Sequence, residues 1–291
     1  MSDLAIVTDS TSDLPDDLLR RYEITAIPLT VDVGGRSYRD RVDLAPDQFY
    51  DLLEAQKGVH RTSQPSPGVF LDVYRQLVKT GKKVIAIHLS SVLSGTCRTA
   101  ELARQHLIDQ GVAGEEDVTV VDSLNGSMGM GWQVLAAAEA AGLGKGREEV
   151  LRLIERVRER VKLFLHVSDL EYLHRGGRVG AVSALLGSLL NITPLLTVVN
   201  GGVVAAAKLR GKQQVVRKYV ELVGEAWAAA QAAGSRFYLS VMHAHALEEA
   251  RALRDRLVKQ LVLAEQPLLV ETGPVIGGHV GPGSVGVAYY W

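Results

Sequence analysis

The chain has 291 residues, 47% apolar and 22% charged, the balance of an ordinary globular protein of one large or two average domains rather than a disordered or fibrous one. With 32 Lys plus Arg against 33 Asp plus Glu there is no basic excess to neutralise a phosphate backbone, which argues against a nucleic-acid binder. A single cysteine, Cys97, excludes an internal disulfide and a thiolate zinc site; with an N-terminal stretch that lacks a secretory pattern, it points to the reducing cytoplasm.

In chain order, residues 4–8 read as a buried strand and 14–22 as a helix, with Asp13 as its cap and Pro15 in its first turn. Residues 24–33 are extended and stop at a tight Gly34-Gly35 turn. Helices follow at 46–56 and 68–80, with Thr62-Ser63-Gln64-Pro65-Ser66 as the segment leading into the second. A strand at 84–88, a helix at 95–110, a strand at 118–121 and an Ala-rich helix at 128–141 complete a β-α alternation. That alternation predicts a parallel sheet flanked by helices on both faces.

An amphipathic helix covers 147–160, apolar at 150, 151, 153, 154, 157 and 161, and a strand follows at 163–167. Residues 179–207 carry no charged side chain, a run long enough to raise the question of a membrane span. Asn191-Ile192-Thr193-Pro194 and Asn200-Gly201-Gly202 break it, so it reads as a helix followed by a buried hairpin turning at Asn-Gly. A helix at 211–233, strands at 237–242 and 267–271 around a helix at 247–261, and a last strand at 284–290 close the chain. A hairpin inside an α/β pattern predicts a mixed sheet. The expected fold is therefore α/β with two α/β domains, residues 1–160 around the parallel sheet and residues 161–291 around the mixed one.

Ligands of open α/β sheets bind beyond the carboxyl ends of the strands. Here those ends carry Asp9-Ser10-Thr11-Ser12, Ser90-Ser91-Val92-Leu93-Ser94-Gly95-Thr96 and Asp122-Ser123, rich in hydroxyls and poor in metal ligands. Hydroxyls, loop amides and a helix N-terminus suit an oxyanion, although each loop alone also reads as an ordinary helix cap. The P-loop pattern is absent. Leu170 to Arg178 ends at a Gly176-Gly177 pair, readable as a helix C-cap or as placing Arg178 at a ligand. Residues 273–283 pack five glycines and two prolines around His279, too rich in both for a helix or a central strand, which makes His279 a candidate site residue. His60, His106 and His166 have no such setting and read as surface or core. Cys97, in a first helical turn where a depressed pKa is possible, reads as packing.

Taken together, Thr8-Asp9-Ser10-Thr11-Ser12-Asp13-Leu14, Thr62-Ser63-Gln64-Pro65-Ser66, Leu89-Ser90-Ser91-Val92-Leu93-Ser94-Gly95-Thr96, Leu173-His174-Arg175-Gly176-Gly177-Arg178 and Gly278-His279-Val280-Gly281-Pro282-Gly283 resemble the DegV family, in order and from end to end. The resemblance implies a long-chain fatty acid bound in a tunnel between two α/β domains, with no cofactor and no metal. It also implies the role of fatty-acid-binding subunit of bacterial fatty acid kinase. There, a separate ATP-binding subunit phosphorylates the presented carboxylate to an acyl-phosphate for phospholipid synthesis. Carried over, Thr62 and Ser94 would hydrogen-bond the carboxylate, with Ser63, the Gly95 amide and Thr96 beside them and Arg178 and His279 at the same mouth. Cys97, Thr193 and Ser284 depart from the family's usual Tyr, Lys and Ala.

Two other readings predict different chemistry. A serine hydrolase would use Ser94 as nucleophile and His279 as base, but no G-x-S-x-G elbow or orienting acid is visible. A site for a small phosphorylated metabolite would need several cations, and only Arg178, Lys208 and Arg210 can be nominated.

Overall fold

A computed structural model describes residues 3–56, 60–185 and 193–291 of the protein. Its strands are β1 (Leu4–Asp9), β2 (Thr25–Ile27), β3 (Thr30–Val33), β4 (Arg36–Arg39), β5 (His60–Ser63), β6 (Lys83–His88), β7 (Val118–Asp122), β8 (Lys162–His166), β9 (Thr193–Val199), β10 (Gly202–Leu209), β11 (Tyr238–Ala244), β12 (Leu268–Glu271) and β13 (Ser284–Tyr290). The helices are α1 (Asp16–Arg21), α2 (Pro46–Ala55), α3 (Pro67–Lys79), α4 (Thr96–Asp109), α5 (Ser127–Gly142), α6 (Arg147–Arg160), α7 (Glu171–Arg175), α8 (Gly211–Ala232), α9 (Leu247–Gln260) and α10 (Pro274–Val280).

The first sheet has the order β2-β1-β6-β7 and is parallel throughout. Strand periodicity divides its side chains between two cores. Leu4, Ile6, Ile85 and Ile87 pack toward α5 and α6, while Ala5, Val7, Val84 and Ala86 pack toward α3 and α4. The larger sheet runs β10-β9-β8-β13-β11-β12, with β11 and β12 parallel and its other pairs antiparallel. The fold is thus α/β with one parallel and one mixed sheet, as the alternation and the hairpin predict.

Helix α5 lies between these sheets, and every one of its residues except Glu139 and Gly142 is buried. A helix apolar on all sides has no solvent face to offer, which is why this Ala-rich segment became the centre of the core. Its cluster takes Leu4 and Ile85 from the parallel sheet and Met242, Val270 and Ala288 from the mixed one. Small residues set the spacing: a Cβ on Gly131 would stand 2.8 Å from the Ser12 carbonyl oxygen. Trp132 Nε1–H donates to the Ala288 carbonyl at 3.2 Å and ties the helix to β13.

A third, small antiparallel sheet, β4-β3-β5, departs from the sequence reading, which assigns no strand to residues 36–39 or 60–63. Arg36–Arg39 and His60–Ser63 are polar and largely exposed, so they lack the apolar alternation that announces a strand. Gly34 and Gly35 take φ of 60° and 75°, the twist a two-residue hairpin turn requires.

Four other expectations are corrected. Asp13 does not cap the first helix: Pro15 holds that position, and Asp13, at φ 55°, sends its buried carboxylate to accept from Ser127 Oγ (2.6 Å) and the Gly273 N–H (2.8 Å). The glycine-rich segment expected to be irregular contains helix α10, with Pro274 in the first turn where its missing N–H costs nothing. There, close packing outweighs the ~1 kcal/mol helix penalty of each glycine, because a Cβ on Gly277 would run into the Tyr50 hydroxyl. The Asn-Gly hairpin turns at Asn200 and Gly201 as predicted, yet it is only partly buried. Pro194 to Leu196 are buried, whereas β10 is an edge strand with Ala205, Ala206 and Lys208 exposed. The helix expected before the hairpin appears as a 3-10 turn at Gly180–Leu185, and its remainder lies outside the described residues. Among the described residues no helix is long and apolar enough to cross a membrane.

Candidate functional site

Strands β1, β6 and β7 are parallel, so Asp9, His88 and Asp122 end together at one edge of the sheet. Their side chains shape the loop that follows β6. Asp9 accepts from the Leu89 N–H and pairs with His88 Nδ1, each at 3.0 Å, and it also accepts from the Thr11 N–H at 3.1 Å. Asp122 accepts from the Ser91 N–H at 3.3 Å and the Leu124 N–H at 2.9 Å. The N–H groups of Leu93 and Ser94 both donate to the Ser90 carbonyl at 3.0 Å, a tight turn that delivers Ser94 to the start of α4.

At that helix start Gly95 occupies the cap position without a side-chain cap. Ser94 Oγ pairs with Thr96 Oγ1 at 2.9 Å and accepts from the Thr96 N–H at 3.3 Å. The helix N-terminus places partial positive charge behind Ser94, the polarity an anion prefers. Gly95 leaves room for the Gln64 amide, which a Cβ there would displace and whose Nε2 donates to Thr99 Oγ1 at 2.8 Å. Gln64, quoted in the sequence only as part of a motif, thus joins the end of β5 to α4.

Thr62 comes from β5, where it sits opposite Val31. Its hydroxyl pairs with His279 Nε2 at 2.9 Å, across from α10. His279 Nδ1 has no hydrogen-bond partner among the described residues. Burial, reinforced by the Arg178 charge and by His60, lowers the His279 pKa from 6.5 to about 3, so the ring is neutral at physiological pH. The His60 ring stands edge-on at 5.7 Å. His60 is half-buried, its ring packed edge-on against Phe49 as well as His279, within the surface-or-core reading. His106 is exposed and His166 buried, as expected.

The Gly176-Gly177 pair forms a helix C-cap, the first of its two readings. The Gly177 and Arg178 N–H groups donate to the His174 and Leu173 carbonyls and close α7, with Gly177 at φ 70°. A Cβ on Gly176 would collide with the His279 ring, so glycine is needed there for approach. Beyond the pair, Arg178 donates from Nε to the Leu93 carbonyl at 3.1 Å and from Nη1 to the Gly176 carbonyl at 2.6 Å.

These elements enclose a cavity of about 250 Å³. Thr62, Ser63, Gln64, Ser94, Arg178 and His279 supply its polar lining, and Leu29, Leu89, Leu93, Leu173, Val203, Val275, Ile276 and Val280 the apolar one. Of the carboxylate-site residues implied by the family motifs, Thr62, Ser63, Ser94, Arg178 and His279 are in the wall, while Gly95 and Thr96 stand behind Ser94. Wider recesses of about 610 and 590 Å³ run along α5, where Arg236 pairs with Glu265, Lys145 with Glu149, and the Tyr22 hydroxyl donates to Glu139.

The arrangement is not that of a serine hydrolase. His279 Nε2 is held by Thr62, Ser94 Oγ by Thr96, and no carboxylate orients the imidazole among the described residues. Nor does it suit a phosphorylated metabolite: Lys208 and Arg210 lie outside the wall, leaving Arg178 as its cation among the described residues. Cys97 is not activated, since burial, with Asp122 and Glu101 adding to it, pushes its thiol up to about 12.

A family model described as "Uncharacterised protein, DegV family" matches residues 3–291. The chain belongs to the DegV family. A DegV domain-containing protein of Deinococcus radiodurans is 37% identical over 98% of this chain and 97% of its own. Among solved structures, a DegV family protein of Thermus thermophilus is 37% identical with a TM-score of 0.87, covering 100% of this chain and 99% of its own. DegV of Bacillus subtilis is 30% identical with a TM-score of 0.88, covering 100% of both. Both are described as binding fatty acid. Of the departures from the DegV pattern, Ser284 is accounted for: it is fully buried, and its hydroxyl donates to the Val280 carbonyl at 2.7 Å, tying β13 to the end of α10.

Proposed function

We propose that this DegV protein carries a long-chain fatty acid in the cytoplasm and presents its carboxylate to a separate ATP-binding kinase subunit. The observation that carries this reading is the division of the cavity. Four chain segments bring Thr62, Ser63, Gln64, Ser94, Arg178 and His279 into a wall whose other residues are Leu, Ile and Val. Apolar surface holds the tail, and alcohol, amide and guanidinium donors orient the head. The description of the Thermus and Bacillus proteins as fatty acid binders supports it.

Neutral His279 has a definite part in this scheme. If Nε2 carries the ring proton and donates it to Thr62 Oγ1, the Thr62 hydroxyl keeps its own proton for the carboxylate. Two neutral donors, Thr62 and Ser94, then meet the anion beside the Arg178 charge. Burying ~14 methylenes at ~0.8 kcal/mol each contributes ~11 kcal/mol gross, so the tail supplies affinity and the head supplies orientation. The volume lies just below the ~300–1,000 Å³ of small-molecule pockets, so a long chain requires the walls to part further. On the partner, a carboxylate oxygen would attack the γ-phosphorus of ATP, with ADP leaving and an acyl-phosphate formed.

Organic extraction and mass spectrometry of the purified protein test the carrier role, with a long-chain fatty acid expected at near one per chain. Delipidated protein that takes up none at micromolar concentration refutes it. The kinase role is tested with Arg178→Ala, expected to weaken partner-dependent phosphorylation more than lipid retention, because the tail dominates affinity. Equal loss of both contradicts that division.

A further inference from the structure

Two of the elements that share the cavity wall meet at a buried contact away from the proposed ligand positions. The loop after β6 contributes Leu89, Leu93 and Ser94, and the β9–β10 hairpin contributes Val203. Ser90, fully buried and outside the cavity wall, joins them: its Oγ donates to the Gly201 carbonyl at the hairpin tip at 2.8 Å. The same Oγ accepts from the Val92 N–H at 3.2 Å, and the Ser90 carbonyl receives the Leu93 and Ser94 N–H groups. One residue therefore shapes the turn that presents Ser94 and grips the element that carries Val203.

The other side of the contact is equally specified. Gly201 has φ 80°, which disfavours any side chain, and a Cβ there would collide with Ser90 Oγ and stand 3.1 Å from Val92 Cγ2. Only a bare backbone lets the hairpin tip settle onto the loop.

From this geometry we infer that the Ser90–Gly201 hydrogen bond is a latch that sets how fast the cavity admits and releases its acyl chain. The inference rests on the carrier reading. Admission and release both need the loop and the hairpin to separate, and Ser90 touches neither the head nor the tail. Weakening the latch lowers the same barrier in both directions, so association and dissociation accelerate together while Kd stays nearly constant. A residue that contacts ligand behaves differently, raising dissociation alone and weakening Kd in step.

The test is stopped-flow binding of a fluorescent long-chain fatty acid to delipidated Ser90→Ala, with unlabelled oleate as the chase. Association and dissociation are each expected to rise about tenfold, the equivalent of ~1.4 kcal/mol, with Kd within about twofold of wild type. Unchanged rates overturn the inference, as does faster dissociation matched by a weaker Kd. Should Ser90→Ala not fold, Ser90→Cys, whose thiol is a weak donor, is expected to show the same pairing of rates at smaller amplitude. If the wild-type protein binds no fatty acid, the carrier reading fails and the latch is tested separately by amide hydrogen exchange. Faster exchange at Leu93, Ser94 and Val203 in Ser90→Ala then supports the latch, and unchanged exchange overturns it.

Discussion

Replacing Thr62 by Val removes one hydroxyl from the proposed carboxylate site while keeping a branched side chain in β5. Two interactions change. The neutral Thr62–His279 bond of 2.9 Å is lost with or without ligand, so its loss appears in stability rather than in selectivity. The charge-assisted bond to the carboxylate exists only in the complex and is worth ~1.5–3 kcal/mol, or about 10–150-fold in Kd. That loss is small beside the ~11 kcal/mol gross contribution of the tail, so binding persists at reduced affinity. The informative assay is isothermal titration with a fatty acid and the primary alcohol of equal chain length. Wild type should prefer the acid, and Thr62→Val should lose about 10–150-fold of that preference with little change toward the alcohol. If acid and alcohol weaken equally, Thr62 shapes the wall and does not hold the head, and the division of labour in the cavity is wrong.

Gly277→Ala forces a methyl against the buried Tyr50 hydroxyl, an overpacking cost of ~1–3 kcal/mol that should lower Tm by roughly 2–10 °C in a thermal melt; an unchanged Tm contradicts the account of why α10 is glycine-rich. Burial raises the carboxyl of Asp40 from 3.8 to about 7, against the opposing Ser10 hydroxyl and Arg41 charge. A pKa raised by folding gives stability that is full below pH 3.8 and lost as pH rises through about 7. Urea midpoints measured between pH 5 and 8 should therefore fall with rising pH in wild type relative to Asp40→Asn, and parallel curves refute it. His279 has the opposite sign: its contribution is full above pH 6.5 and is lost as pH falls toward about 3, so His279→Gln should flatten the acid limb of the same titration. Cys97, with its thiol held up near 12, should react slowly with iodoacetamide in the native protein and rapidly in urea, which peptide mass mapping would resolve.

What the amino-acid order determined was the local and periodic part of the molecule. The alternation of β-branched runs with helices, the Asn200-Gly201 turn and the uniformly apolar Ala-rich helix each express a preference set within a few residues. The parallel and mixed sheets follow from those preferences. The hydroxyl-rich loops, Arg178 and His279 were legible as candidates because their residue types and their places after strands or helices restrict what they can do.

Tertiary structure decided everything that depends on proximity between distant segments. The polar strand His60–Ser63 forms because β3 offers it a partner, and that pairing brings His60 and Thr62 to His279, more than two hundred residues away in sequence. Within segment 273–283, Pro274–Val280 is helical despite its glycines because Tyr50 fills the space a side chain at Gly277 would need, a fit no local window contains. The same holds for the thiol of Cys97, which helix position alone would have lowered and burial instead raises. Charge, turn and periodicity act along the chain, whereas desolvation and steric fit are properties of the folded neighbourhood.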